Sequence, residues 1–206
     1  MIVKVCGIKT EDNLSALSNI PIDMIGLNFY PSSARYVGPE VVPLRYDILP
    51  DELSRVGVFV NESLDEIMDI ADEYRLDYLQ LHGDEQLDFC VEASTQLPVI
   101  KVVRVGKSID WHQLKGYEGV AEYILFDTNS KAYGGSGHKF DWSLLADYPL
   151  EIPYMIGGGV GPTDVQLIKA HKHHQFVGVD INSKFESAPA VKNTELVTQF
   201  VLGLKT

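Results

Sequence analysis

A thiol and an ammonium group stand two residues apart in the opening run "KVCGIK", as Cys6 and Lys4. Successive strand side chains point to opposite faces, so Lys4 and Cys6 share one face while Val3 and Val5 share the other. A thiol acts as a base only when its pKa falls toward neutrality, and a lysine on its own face supplies the field for that. Lys4 is equally suited to neutralising Asp180, and the residues leave both roles open. Asp127 closes the apolar run "YILF" and precedes Thr128. Proton donation near pH 7 requires a raised pKa, which partial burial provides. A helix cap or a loop-ordering carboxylate is the plainer use of such an aspartate. His82, in "QLHGDE", either lines a pocket or orders its loop. Three loops, "YGGSG" (133–137), "GGGVGP" (157–162) and "DINS" (180–183), have the composition of an anion cradle. Glycine lets backbone N–H groups approach an anion closely, and a helix N-terminus adds a favourable dipole. Each loop alone says little, because tight turns use glycine anyway; together they point to a phosphorylated ligand.

Eight short β-branched or aromatic runs position these groups, at 2–6, 23–29, 55–60, 77–82, 98–105, 121–127, 152–157 and 176–181. Helical signals separate most of them. Thr10 leads into Leu14, Leu17 and Ile20, the segment Asn61–Ser63 into Leu64, Ile67 and Ile70, and Gly83–Glu85 into Leu87 and Val91. "VKNTELVTQFVLGL" closes the chain as an amphipathic helix, whereas 38–50 and 107–119 predict only short or irregular helices. Strand–helix alternation predicts a parallel sheet covered by helices. Eight units in 206 residues suit a short (β/α)8 TIM barrel, expected to form one domain over 1–206. A doubly wound open sheet is less fitting, since no G-x-G-x-x-G turn follows the first run. Barrel chemistry sits at the C-terminal strand ends, which here present Cys6, Asn28, Asn61, His82, Asp127 and Asp180. Alternation adds Gln80 below His82 and Gly178 below Asp180, while the strand interiors are mostly valine, isoleucine and leucine.

Composition narrows the partners. A net charge of −12 disfavours nucleic-acid and anionic-membrane binding through bulk electrostatics. No apolar run approaches the roughly 18 residues of a membrane span, and the N-terminus lacks the order of a secretion signal. The two cysteines, Cys6 and Cys90, are expected to be reduced thiols in a cytoplasmic protein, with Cys90 in a helical core. His112, His171, His173 and His174 read as surface residues without metal-ligand spacing.

The ordered motifs "KVCGIK", "GLNFYPSSARYV", "VGVFVN", "QLHGDE", "FDT…YGGSGHKFDW", "GGGV" and "GVDINS" resemble those of the phosphoribosylanthranilate isomerase family, barrel enzymes of tryptophan biosynthesis. The resemblance runs from Lys4 to about Lys192. It implies an Amadori rearrangement. An acid protonates the ribose ring oxygen, the ring opens to an iminium, and a base takes the C2 proton. On this resemblance Cys6 is the base, Asp127 the acid and Arg35 the holder of the anthranilate carboxylate, its planar fork suiting that group. His82, Gly158, Gly159, Asp180, Asn182 and Ser183 are the expected substrate-binding residues. No cofactor or metal is expected, the partner is a small phosphorylated substrate, and monomer and homodimer both stay open.

The eighth loop departs from the family pattern. "NSKFESAPAVKN" places Lys184 where a glycine is expected, although Ser183 and Glu186 match. Lys184 either adds a charge to the phosphate or alters the backbone around it. Two alternatives follow: a noncatalytic barrel that binds a phosphorylated metabolite, and a related phosphosugar isomerase or epimerase such as that of histidine synthesis. The latter would place aspartates where this chain has Cys6 and Val105.

Overall fold

Valine, isoleucine and leucine fill the eight runs, and each run forms a strand within about two residues of its expected bounds. The computed structural model describes residues 1–38, 49–50, 52–128 and 139–206. The strands are β1 (Ile2–Cys6), β2 (Met24–Asn28), β3 (Ser54–Phe59), β4 (Tyr78–Leu81), β5 (Val99–Val105), β6 (Ala121–Thr128), β7 (Tyr154–Ile156) and β8 (Phe176–Ile181). They pair in chain order into a closed barrel. The closing seam is parallel, with Ile2 opposite Gly178 and Lys4 opposite Asp180.

Side-chain caps set where the helices begin. Thr10 accepts a hydrogen bond from the Asn13 N–H at the start of α1 (Glu11–Leu17). Ser63 does the same for Glu66 in α2 (Leu64–Tyr74), and Asn193 for Leu196 in the last helix. These satisfy N–H groups that the first helical turn leaves unpaired. Next come α3 (Leu87–Ser94), α4 (Trp111–Leu114) and α5 (Val165–Ala170), with α6 (Thr194–Lys205) last. Segment 107–119 is irregular as expected, a four-residue helix running into a 3-10 turn at Lys115–Tyr117. Most of 38–50, and the "YGGSG" loop, lie outside the described residues. A short antiparallel hairpin, β9 (Glu186–Ala188) with β10 (Val191–Lys192), follows β8 and was not expected from the sequence.

Apolar side chains form two separate bodies. Met24, Val56, Ile100, Val102, Leu125 and Met155 fill the inside of the barrel. A larger layer, including Leu14, Ile25, Leu81, Phe126 and Val197, packs between strands and helices. Lys4 and Gln80 are fully buried as well, polar groups on the same strand faces as Cys6 and His82.

Candidate active site

The C-terminal strand ends enclose a cleft of about 690 Å³, including its open mouth. That volume suits a small organic ligand. Cys6, Arg35, His82, Asp127, Gly158, Gly159, Asp180, Asn182 and Ser183 all line it, so the structure brings every sequence-predicted site residue together. Asn28 and Gln80 line it too, as do Tyr30 and Ser33 from the loop after β2.

Both roles foreseen for Lys4 coincide. Its Nζ lies 2.9 Å from Asp180 Oδ1, and its charge also acts on the buried Cys6 thiol. Burial works against the ammonium charge, but Asp180 and Cys6 outweigh it and hold the Lys4 pKa above its usual value. Room for this cluster comes from Gly26 on β2. A Cβ there would lie 2.7 Å from Cys6 Sγ and 3.0 Å from Lys4 Nζ. The expectation of a lowered thiol pKa is corrected for the free cleft. Burial pushes the Cys6 thiol up, against the pull of Lys4 and Lys192, and Asp180 adds to the rise.

Arg35 is not a free fork. Its Nε and Nη2 donate to the two carboxylate oxygens of Glu186 at 2.9 and 2.6 Å. Lys192, its side chain fully buried, donates to Glu186 Oε1 and to Asn182 Oδ1, both at 2.7 Å. Burial opposes the Glu186 charge, but the bonds from Arg35 and Lys192 prevail and hold its carboxyl below the usual carboxylate range. Hairpin β9–β10 thereby fixes Arg35 over the end of β1, which lies between β8 and β2. Lys192 is a participant the sequence reading missed, because "VKNTELVTQFVLGL" reads as one helix, whereas Lys192 lies on β10 and the helix begins at Thr194.

Asp127 is held from both sides. The Thr128 N–H donates to its Oδ1 at 2.7 Å, and His82 Nε2 lies 3.2 Å from its Oδ2. Behind His82, Gln80 Nε2 lies 3.3 Å from the ring Nδ1. Gly158 crosses this corner with φ of 65°, and a Cβ there would lie 2.4 Å from the Thr128 nitrogen. Only glycine tolerates both constraints.

The loop after β7 turns through Gly158 and Gly159, both at positive φ. Asp164 braces its far end, accepting from the Gly161 N–H at 2.6 Å and from Lys139 Nζ at 2.5 Å. Ser183 opens a single 3-10 turn after β8. Lys184 is exposed and packs its stem toward Gly161, outside the cleft lining.

Other side chains fall elsewhere. Cys90 is fully buried in α3, where burial pushes its thiol up to about 11. His112 and His174 are exposed. His171 and His173 are half-buried rather than superficial, because they pack against Tyr148, Tyr154 and Phe176. Tyr154 Oη lies 2.7 Å from His171 Nε2. Among the described residues no group of histidine, cysteine and acidic side chains is arranged to hold a metal ion. No helix among them is long and apolar enough to cross a membrane.

Comparison with known proteins gives a consistent result. Residues 3–202 match the family model described as N-(5′-phosphoribosyl)anthranilate (PRA) isomerase. A relative of that name from Phocaeicola vulgatus is 41% identical over 206 residues, covering 100% of this chain and 98% of its own. The crystal structure of phosphoribosyl anthranilate isomerase from Thermotoga maritima aligns with a TM-score of 0.86 at 35% identity, covering 100% of this chain and 99% of its own. A crystal structure of phosphoribosyl anthranilate isomerase in complex with reduced 1-(o-carboxyphenylamino)-1-deoxyribulose 5-phosphate aligns with a TM-score of 0.83 at 33% identity, with coverage of 100% and 99%.

Proposed function

The chain belongs to the N-(5′-phosphoribosyl)anthranilate isomerase family, and we propose how its cleft divides the work of that reaction. It isomerises N-(5′-phosphoribosyl)anthranilate to 1-(o-carboxyphenylamino)-1-deoxyribulose 5-phosphate, a step of tryptophan biosynthesis. The family match over nearly the whole chain displaces the other phosphosugar isomerases as candidates.

Asp127 protonates the ribose ring oxygen and Cys6 takes the C2 proton of the resulting iminium. The two stand on β6 and β1, with the loops after β7 and β8 between them. A substrate anchored by its phosphate on those loops reaches both groups. The phosphate meets backbone N–H groups near Gly158, Gly159 and Ser183, and the Ser183 hydroxyl adds a donor. Arg35, held by Glu186, turns its remaining N–H groups toward the anthranilate carboxylate.

The free cleft keeps its proton on sulfur. The working state carries a proton on Asp127 and a thiolate at Cys6, which Lys4, Lys192 and the cationic iminium stabilise. No metal or cofactor has a task in this scheme. A small phosphorylated substrate is the partner it requires, and the cytoplasm is its place.

One observation carries this assignment: a buried thiol among paired lysines and a hydrogen-bonded aspartate line the same cleft, flanking its glycine-rich loops. Purified protein is expected to turn over N-(5′-phosphoribosyl)anthranilate in a fluorescence assay, with inorganic phosphate as a competitive inhibitor. Binding without turnover would remove the acid–base assignment, and phosphate that fails to compete would remove the clamp.

A further inference from the structure

Gln80 is 1% exposed, yet its side-chain oxygen has no hydrogen-bond partner among the described residues. Leaving a buried carbonyl unpaired is costly, and native interiors seldom do so without a use for it. Gln80 lies on β4 one alternation below His82, on the same face, and lines the cleft. Its nitrogen contacts His82 Nδ1 at 3.3 Å, and His82 Nε2 in turn reaches Asp127 Oδ2 at 3.2 Å. With the Gln80 amide donating, Nδ1 accepts, so the neutral ring carries its proton on Nε2, facing Asp127.

Resting on the assignment of Asp127 as acid, we propose that His82 is the proton supply for Asp127 and that Gln80 is the positioning residue that serves both charge states of His82. When the ring is neutral, the amide N–H donates to Nδ1. When the ring is an imidazolium, rotation of the amide brings Oε1 to accept from Nδ1–H. Whichever end faces away from the ring lies in the cleft, where a hydroxyl of the opened sugar satisfies it, since a hydroxyl both donates and accepts. The imidazolium gives its Nε2 proton to Asp127 Oδ2, the N–H bond breaking as the O–H bond forms, and is left, unlike the resting neutral ring, as the Nδ1–H tautomer with Oε1 still accepting; Asp127 then passes a proton to the ring oxygen. Solvent reprotonates His82, whose side chain is 15% exposed. No electrons change hands.

The charged groups that bear on His82 come from several strands. Asp127 faces it from β6, and Asp180 acts on it from β8 with its counter-ion Lys4 from β1. Arg104 on β5 is level with Asp127 in register and is ion-paired with Asp84. Glu85, in the same loop as Asp84, is paired with Lys101. Nearly every charge around the ring therefore already has a partner, and a change at Gln80 is read chiefly through His82.

The test combines imidazole 15N NMR of the full chain with pH profiles of kcat. His82 resonances are assigned by their loss in His82→Asn. At high pH the wild-type ring is expected as the Nε2–H tautomer. Gln80→Leu removes the partner of both charge states, and the bond to the imidazolium is the stronger of the two, so the alkaline limb of kcat moves down. Gln80→Glu supplies a stronger acceptor, and the limb moves up. An Nδ1–H tautomer in the wild type, an alkaline limb that ignores both substitutions, or one that moves the same way in both would overturn the proposal. If Gln80→Leu does not fold, the wild-type tautomer and Gln80→Glu still decide. Wild-type turnover is measured first: its absence would remove the assigned activity itself, whereas turnover with an unmoved limb removes only the relay.

Discussion

Around Cys6 the charges are matched, Lys4 against Asp180 and Lys192 against Glu186, and both cations are sealed from water, their side chains at 0% exposure. Around Asp127 the construction is lighter. A ring, an amide and a backbone N–H hold the carboxylate, and both His82 and Asp127 reach solvent at about 15%. The contrast follows from what each group does. A thiolate base must be stabilised without admitting water, so its cations are fixed in place and already paired. An acid must be refilled after each turnover, so it keeps a route to solvent.

The largest expected effect separates chemistry from architecture. Cys6→Ala is expected to lower kcat by about 10²–10⁴, the range of a positioned acid or base, while the circular-dichroism spectrum and product-analogue affinity stay close to wild type. Residual activity above a tenth of wild type would remove Cys6 as the base. Next comes a change that should injure the sealed half alone. Lys4→Met leaves Asp180 without its counter-ion, and breaking a buried pair in this way costs about 3–5 kcal/mol of stability. Asp127→Asn, in the lighter half, should unfold at nearly the wild-type urea midpoint. Equal losses in the two variants would erase the distinction between the halves.

The smallest effect concerns the resting thiol. Because burial holds the Cys6 pKa above its ordinary value, alkylation by iodoacetamide should stay slow at pH 7 and accelerate only above the usual thiol pKa of about 8.5. A Cys90→Ala background leaves one thiol to be read. Fast alkylation at pH 7 would mean the free cleft already holds a thiolate.

Local patterns carried most of the fold. β-Branched runs marked all eight strands, and Thr10 and Ser63 marked helix starts because a cap is a contact three residues long. Alternation also placed Gln80 beside His82 and Lys4 beside Cys6. Pairings set by barrel closure were not legible in the same way. Arg35 and Glu186 are 151 residues apart, and nothing near either announces the other. Hairpin β9–β10 uses strands of three and two residues, too short for any period to show. The direction of the Cys6 shift depends on how completely the thiol is buried, which spacing does not reveal. His171 and His173 looked superficial because their aromatic partners, Tyr148 and Tyr154, lie in other elements.

The closing seam bears on how the molecule comes into being. Lys4 and Asp180 are 176 positions apart, so the lysine waits for the eighth barrel strand before it finds its counter-ion. Contacts this distant form late, after the loop entropy between them has been spent. Catalytic competence therefore follows the closure of β8 onto β1, and a refolding chain should regain its helices before it regains its turnover.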